Sequence, residues 1–228
     1  MRYIIDNIEV HLDNHKRVGF MLSGGYDSCV LLSLLLIKTS PKSVQLYTID
    51  KPDNSVKNAQ AVTDVFRGLY PDILFNNLVV RGGDYQEDYL IGTGGPWDLI
   101  DHDTKWGPIG TQGYIALMDI LDNYAETVEV IYSGYTKNPP VIIASTTSPP
   151  FRTNADRAQD NIPKFKGPFS HLTKDKVIRI ANDIGAHHAM IMSHTCTQVS
   201  VGRCNECWQC KERAWAFDQC QMLDYGIN

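Results

Sequence analysis

The chain is short of concentrated positive charge. Its 21 Lys and Arg are outnumbered by 26 Asp and Glu, giving a net charge of −5. No basic run and no Lys/Arg-rich helix is present, which removes the electrostatic footprint of a tight nucleic-acid binder. Nucleic acid is therefore not an expected partner, although a basic patch assembled by folding stays open. Long apolar runs are missing too. The most apolar stretch, Cys29 to Ile37, is far short of a membrane span, so no membrane partner is expected. The N-terminal MRYIIDNIEVHLDNHK is charged and broken too early for the apolar region of a secretory signal. The expected compartment is cytoplasmic. Internal repeats and low-complexity segments are absent, as are the Walker pattern GxxxxGK[ST] and a GxGxxG after a strand.

What is present at the front is SGGYDS, residues 23–28. Paired glycines let the backbone turn sharply and converge its N–H groups on an anion, and the helix expected next points its N-terminus at the same place. Ser23 and Ser28 offer hydroxyls. Asp27 is out of place in an anion site unless it holds a Mg²⁺ that bridges phosphates or orients the loop. The plainer reading is a Gly-Gly turn between strand and helix. The apolar run Arg17 to Leu22 before it and the helix after it favour the phosphate loop.

At the back, four of the six cysteines fall within CTQVSVGRCNECWQC. Cys196, Cys204, Cys207 and Cys210 have the spacing to close a tetrahedral site, and zinc is the expected metal. Four thiolates fill its shell, which argues a structural role; a redox or sulfur-carrying role is the alternative. Cys29 and Cys220 read as packing residues. His194, two residues before Cys196, is a candidate to substitute as a ligand; since four cysteines suffice, it reads as a polar neighbour. Trp208 and Trp215 are expected to pack the knot on the main domain.

Between the two motifs, strands and helices alternate. Strands are expected at Arg17–Leu22, Val44–Ile49 with Asp50 at its tip, Ile73–Val80 and Val128–Tyr132. Helices are expected at Cys29–Lys38, Ser55–Leu69 and Tyr114–Tyr124, with another opening at Leu172-Thr173-Lys174 and ending near Gly185. This predicts an α/β fold, a parallel sheet covered on both faces. Residues 1–190 form the main domain and 191–228 a four-cysteine knot with a helix. The stretches Gly82 to Pro108 and Ser133 to Pro168 resist assignment. Both follow strands, where ligand sites of open α/β sheets form. Trp97, Trp106, Tyr135 and Phe151 there are candidates to stack on a purine-like ring or to pack the loops. Asp101-His102-Asp103 is a candidate metal cluster or a solvated turn, and Asp84, Glu87 and Asp88 read as a solvated face.

These residues resemble a family. SGGYDS matches the SGGxDS loop of the PP-loop ATP pyrophosphatases, an adenine nucleotide alpha hydrolase-like fold. GPIGTQGYIALMDIL (107–121), PFSHLTKDKVIRIANDIG (168–185) and the four cysteines followed by KERAWAF (211–217) resemble its 7-cyano-7-deazaguanine synthase branch, QueC. The resemblance implies an ATP-dependent carbon–nitrogen ligase. It would adenylate the carboxylate of 7-carboxy-7-deazaguanine and aminate it with ammonia to the amide and onward to the nitrile. The implied ligands are ATP, Mg²⁺ and Zn²⁺. Ser23, Gly24, Gly25, Tyr26, Asp27 and Ser28 would hold the phosphates, and the strand tip Tyr47 to Asp50, with Tyr47 and Ile49, would border the adenine. Lys174 is the candidate cation facing the phosphates; its plainer reading is an exposed residue near a helix start. Ser23, Asp27, Ser28 and Lys174 form the candidate catalytic set. A homodimer is an admissible assembly. YTIDKPDN (47–54) and PIGTQ (108–112) depart from the family's segments, and both touch the expected substrate pocket. The competing readings are a variant stopping at 7-amido-7-deazaguanine, a tRNA-thiolation enzyme with an iron–sulfur or sulfur-carrying cysteine site, and a nucleotide-binding module without turnover.

Overall fold

The computed structural model describes residues 1–50, 54–81, 120–137, 139, 164–196 and 198–226. The chain opens with an antiparallel hairpin, β1 (Arg2–Ile5) and β2 (Ile8–His11). Asp6 and Asn7 between them both have positive φ, 43° and 65°, as a two-residue primed turn requires. Tyr3, Ile8, Val10 and Leu12 alternate inward and are buried in the main core.

The main sheet is parallel throughout. β3 (Arg17–Met21) lies at its centre, with β4 (Ser43–Ile49) on one side and β7 (Val130–Ser133) on the other; β8 (Phe165–Lys166) follows β7. On the far side of β4 lie two short pieces, β5 (Leu74–Phe75) and β6 (Val79–Arg81). The single strand expected over 73–80 is thus broken. The Gln45 side chain fills the break, its Nε2 donating to the Asn77 carbonyl at 2.8 Å. Helix α1 (Tyr26–Thr39) joins β3 to β4, and α2 (Ser55–Leu69) follows β4. The expected limits of α2 are the observed ones, whereas α1 begins three residues before Cys29, at the loop itself. Of the helix expected at Tyr114–Tyr124, only 120–124 is described, and it is helical.

Side chains alternate across the sheet because successive strand residues point to opposite faces. Val18, Phe20, Val44 and Leu46 enter the larger core with α1. Tyr47 and Ile131 enter a second cluster with Ile120, Val128 and Phe165. Both faces are covered, as a parallel sheet requires. The chain then adds α3 (Lys174–Asp183), α4 (His187–Met192) and α5 (Trp208–Gln219). Ala216 and Phe217 of α5 are part of the larger core, and Trp215 packs against it. No helix among the described residues is long and apolar enough to cross a membrane.

His188 sits between α4 and the core. Its Nε2 is 3.1 Å from Ser33 Oγ and its ring meets Phe66 edge-on at 5.3 Å. Burial, then the neighbouring charge of His187, lowers its pKa. A His with a depressed folded pKa contributes stability that is present above its unfolded pKa and lost as pH falls below it. The melting temperature is therefore expected to fall as pH drops below about 6.5, with a shallower fall in His188→Gln; equal slopes in the two proteins would remove His188 as the cause.

Candidate functional site

β3 has partners on both sides, so the strand order reverses at its carboxyl end, the place where open α/β sheets leave a crevice. SGGYDS occupies that place. Gly24 has φ +72°, and a Cβ there would lie 2.6 Å from the Asn58 Cβ and 2.8 Å from the Ala59 nitrogen. The first turns of α2 therefore press directly on the loop. Within it, the Gly25 N–H donates to Ser23 Oγ at 3.2 Å, Ser28 Oγ donates to the Gly25 carbonyl at 2.9 Å, and the two serine hydroxyls are 3.2 Å apart. Ser23 is exposed and Ser28 buried. No side chain caps the start of α1, and an uncapped helix start offers N–H groups to an anion. On the opposite flank, a Cβ on Gly134, just past β7, would lie 2.8 Å from Ser28 Cα. Nothing in the sequence singled Gly134 out.

Lys174 is 3% exposed, which overturns the reading of an exposed residue at a helix start. Its Nζ donates to Asp27 Oδ2 at 2.7 Å and lies 3.3 Å from Glu212 Oε2. Glu212 is fully buried. Three charges from α1, α3 and α5 thus meet at the loop. The ammonium expected to face phosphates is here held by two carboxylates, and Asp27, which the sequence offered as a Mg²⁺ carboxylate, has a cationic partner in Lys174.

The Tyr26 side chain turns away from the loop. Its ring meets Phe217 edge-on at 5.7 Å, with the Arg213 guanidinium 5.1 Å from its centre. Only its backbone remains at the helix start. Tyr47 is buried on the opposite face of the sheet, its ring 5.9 Å from that of Tyr124. Ile49 is half-buried at the tip of β4, and its carbonyl accepts the Ser55 hydroxyl at 2.5 Å. Tyr135 stacks on Phe165, centroids 6.1 Å apart and planes 2° from parallel. Trp97, Trp106, Phe151, Asp84, Glu87, Asp88 and Asp101-His102-Asp103 lie outside the described residues.

The four cysteines do come together. Their sulfurs lie within 4.8 Å of one another, and Cys196, Cys207 and Cys210 are buried. The Cys196 sulfur is 3.9 Å from that of Cys207, and the Cys204 sulfur 4.0 Å from that of Cys210. Backbone N–H groups of Gln198 and Val199 point at the Cys196 sulfur, each at 3.4 Å; those of Cys207 and Glu206 point at the Cys204 sulfur at 3.2 and 3.4 Å. Such donors favour thiolates. Burial raises the Cys196 thiol, but backbone donors outweigh it and bring it down to about 7. Burial and the neighbouring Cys207 push Cys210 the other way. Four sulfurs this close could ionise together only around a cation, so the cluster fits a bound metal ion. His194 is not in the group; its Nε2 lies 2.9 Å from the Val199 carbonyl. Cys29 is fully buried in the core, and the half-buried Cys220 donates its S–H to the Asp175 carbonyl at 3.2 Å.

The helix after the cluster carries the residues that sequence reasoning missed. Arg213, 1% exposed, pairs through Nε with Asp224 at 2.7 Å and donates through Nη1 to the Ser193 carbonyl, Ser193 Oγ and Thr195 Oγ1 at 3.2, 3.0 and 2.8 Å. Asp224 also takes Arg203 at 2.6 Å. The three ionic residues of Cys-Lys-Glu-Arg have the composition of a solvated helix surface, yet only Lys211 of the three is exposed.

The family described as "Queuosine biosynthesis protein QueC" matches residues 118–221, a little under half of the chain. The matched stretch holds Lys174, the four cysteines, Glu212 and Arg213; SGGYDS lies before it. No curated protein matches the chain in sequence. Among solved structures, the NMN synthetase from Francisella tularensis is 16% identical with a TM-score of 0.44, covering 75% of this chain and 62% of its own. The U34-tRNA thiolase NcsA from Methanococcus maripaludis, solved with its 4Fe-4S cluster, is 16% identical with a TM-score of 0.43, covering 92% of this chain and 67% of its own.

A side chain at Gly24 meets both a left-handed backbone and a close neighbour. Gly24→Ala is expected to lower the unfolding free energy by about 2–4 kcal/mol, read by urea denaturation. A change within about 0.5 kcal/mol, the range of an ordinary surface substitution, would contradict the close approach of α2.

Proposed function

We propose that this QueC-like PP-loop protein is an ATP-dependent carbon–nitrogen ligase acting on 7-carboxy-7-deazaguanine in queuosine-type biosynthesis. One observation carries the reading. The loop with phosphate-site character, at the switch point of the sheet, is ion-paired through Asp27 to Lys174, and Lys174 lies in the stretch that matches a queuosine-biosynthesis family.

The chemistry begins with a carboxylate, which cannot expel oxide. Its oxygen attacks the α-phosphorus of ATP, the bond to the β-phosphate oxygen breaks, and pyrophosphate leaves. The acyl carbon now carries AMP as leaving group. The lone pair of ammonia attacks that carbon, AMP departs with the C–O bonding pair, and a proton is lost from nitrogen, giving the amide. A second ATP takes the amide oxygen in the same way. Loss of AMP and of the remaining N–H protons leaves the nitrile. The residues' task throughout is positioning and charge stabilisation. The N–H groups at the start of α1, with Ser23 and Ser28, would bind the phosphates that leave as pyrophosphate, and Gly24 and Gly25 would let the backbone approach them. The backbone at the end of β4, from Tyr47 to Ile49, would border the adenine, since the Tyr47 side chain is buried on the other face of the sheet. Lys174 would hold Asp27 in register beneath the loop. Mg²⁺ would arrive on the triphosphate, and Asp27 would be the carboxylate it meets. The proposed compartment is the cytoplasm.

For the cysteine site we propose one structural Zn²⁺. Zinc–thiolate bonds of about 2.3 Å in a tetrahedron place sulfurs about 3.8 Å apart, close to the 3.9 and 4.0 Å separations of the two pairs. Zinc bound here would neutralise thiolates and hold α5 to the segment before Cys196. Cys207→Ser is expected to lose the metal and to melt at markedly lower temperature, since structural zinc binding is coupled to folding; elemental analysis reads the first and calorimetry the second. Stoichiometric iron with a visible charge-transfer band would overturn zinc.

The reading is tested by incubating the protein with 7-carboxy-7-deazaguanine, ATP, Mg²⁺ and ammonium, and following nucleotides and base by mass spectrometry. AMP and pyrophosphate are expected, one AMP per amide and two per nitrile, with guanine inert. Ser23→Ala should lower turnover by about a hundredfold, the usual loss for one donor at a developing charge. ADP and phosphate as products, or no AMP from the 7-carboxy base at saturating ammonium, would refute the assignment.

A further inference from the structure

We propose that Glu212 is a positioning residue for the phosphate loop: through the Lys174 ammonium it fixes Asp27, and so couples the metal-binding cysteine cluster to the geometry of residues 23–28. The inference rests on reading that loop as the nucleotide site, and it gives the cysteine cluster a part in the same reaction.

The cluster reaches the loop by two routes. The first runs through α5. Cys207 is the N-cap of this helix, Cys210 lies in its first turn, and Glu212 and Arg213 lie in the turn that follows. A metal held by Cys207 and Cys210 would therefore fix the position and rotation of the first turn, and with it the direction in which Glu212 projects. Glu212 is fully buried and its Oε2 is 3.3 Å from Lys174 Nζ, which donates to Asp27 in the first turn of α1. The second route runs backward from Cys196. The His194 N–H donates to the Gly24 carbonyl at 3.0 Å, and Arg213 grips the carbonyl and hydroxyl of Ser193 and the hydroxyl of Thr195. Cys196 and the Cys204–Cys210 group thus each lead to the loop, one by backbone and one by charge. Arg213 ties the two routes together.

The charge route sets a distance. An ammonium with one carboxylate partner follows that partner; an ammonium between two carboxylates is held from both sides. Asp27 is the outer partner, 16% exposed, while Glu212 is wholly enclosed. Glu212 is the anchor, and Asp27, with the loop attached, is the part that is positioned. With Glu212 neutral, Lys174 loses its charged partner on α5, and the loop loses its charge route to that helix. Transfer to the α-phosphate depends on alignment, so misplacement should appear in kcat more than in nucleotide binding.

The test uses full-length, metal-loaded Glu212→Gln. Metal content is expected to stay at the wild-type level. Amide hydrogen exchange over residues 23–28 should quicken about tenfold relative to the later turns of α1, a local opening and not a global one. AMP formation should fall about tenfold to a hundredfold in kcat, with the KM for ATP within about threefold. Loop exchange that is unchanged, or that rises equally through α1, α3 and α5, overturns the proposal. If Glu212→Gln does not accumulate, Glu212→Asp, which keeps the charge and withdraws it by one methylene, is read by the same exchange ratio with the same two overturning results. Wild-type protein that makes no AMP would sink the ligase reading alone. The exchange comparison needs no ATP and decides the hold of Glu212 on the loop by itself.

Discussion

The interaction on which the site depends is the buried meeting of Asp27, Lys174 and Glu212. Two carboxylates and one ammonium, from three helices, share a place where Lys174 and Glu212 have almost no contact with solvent. Charges removed from water cost several kcal/mol each, and a pair recovers this only with close geometry. An apolar trio of the same volume would hold α1, α3 and α5 together at least as well. The arrangement is therefore poorly explained by stability alone. It is well explained by register: charges hold a definite distance and direction where apolar side chains slide. The register being held is that of the first turn of α1, where a phosphate would bind.

That placement follows from topology. β3 is flanked by β4 and β7, and the chain leaves β3 for a helix on one face before returning to β4. The loop after β3 has α2 pressing on Gly24 and Gly134 pressing on Ser28. Neither neighbour leaves room for a Cβ, so glycine at both positions is a packing requirement as well as a matter of chain flexibility. The loop is boxed in from both flanks and pinned from below.

Much of this was legible in the sequence because it is local. SGGYDS announces its own turn, the apolar spacing of Ser55 to Leu69 sets α2 to the residue, and the cysteine spacing brings four sulfurs together as read. What was not legible depends on partners distant in the chain. The hairpin at Arg2–His11 was missed because its charged residues hide the inward alternation of Tyr3, Ile8 and Val10, which is meaningful only beside the core they join. Glu212 and Arg213 were missed because a charged pair on a helix is normally a solvated face. Only Lys174, 38 positions earlier, and Asp224, 11 positions later, reveal why they are buried. Lys174 itself was found, but as a cation for phosphates; that it already has two carboxylates could not be read without the fold.

This last point bears on how an acidic chain would receive a triphosphate. Asp27, Lys174 and Glu212 together carry a formal charge of −1, so the trio does not attract an anion. Under the proposed function, the attraction has to come from elsewhere: the uncapped N–H groups at the start of α1, which carry the positive end of the helix dipole, and the Mg²⁺ that accompanies ATP. The division of labour then differs from that of a P-loop lysine, which binds phosphate as a point charge. Here the backbone would bind, and the lysine would keep the backbone in place. A loop that binds through N–H groups is sensitive to its own conformation to a degree that a single mobile ammonium is not, which is the physical reason for bracing it from two sides.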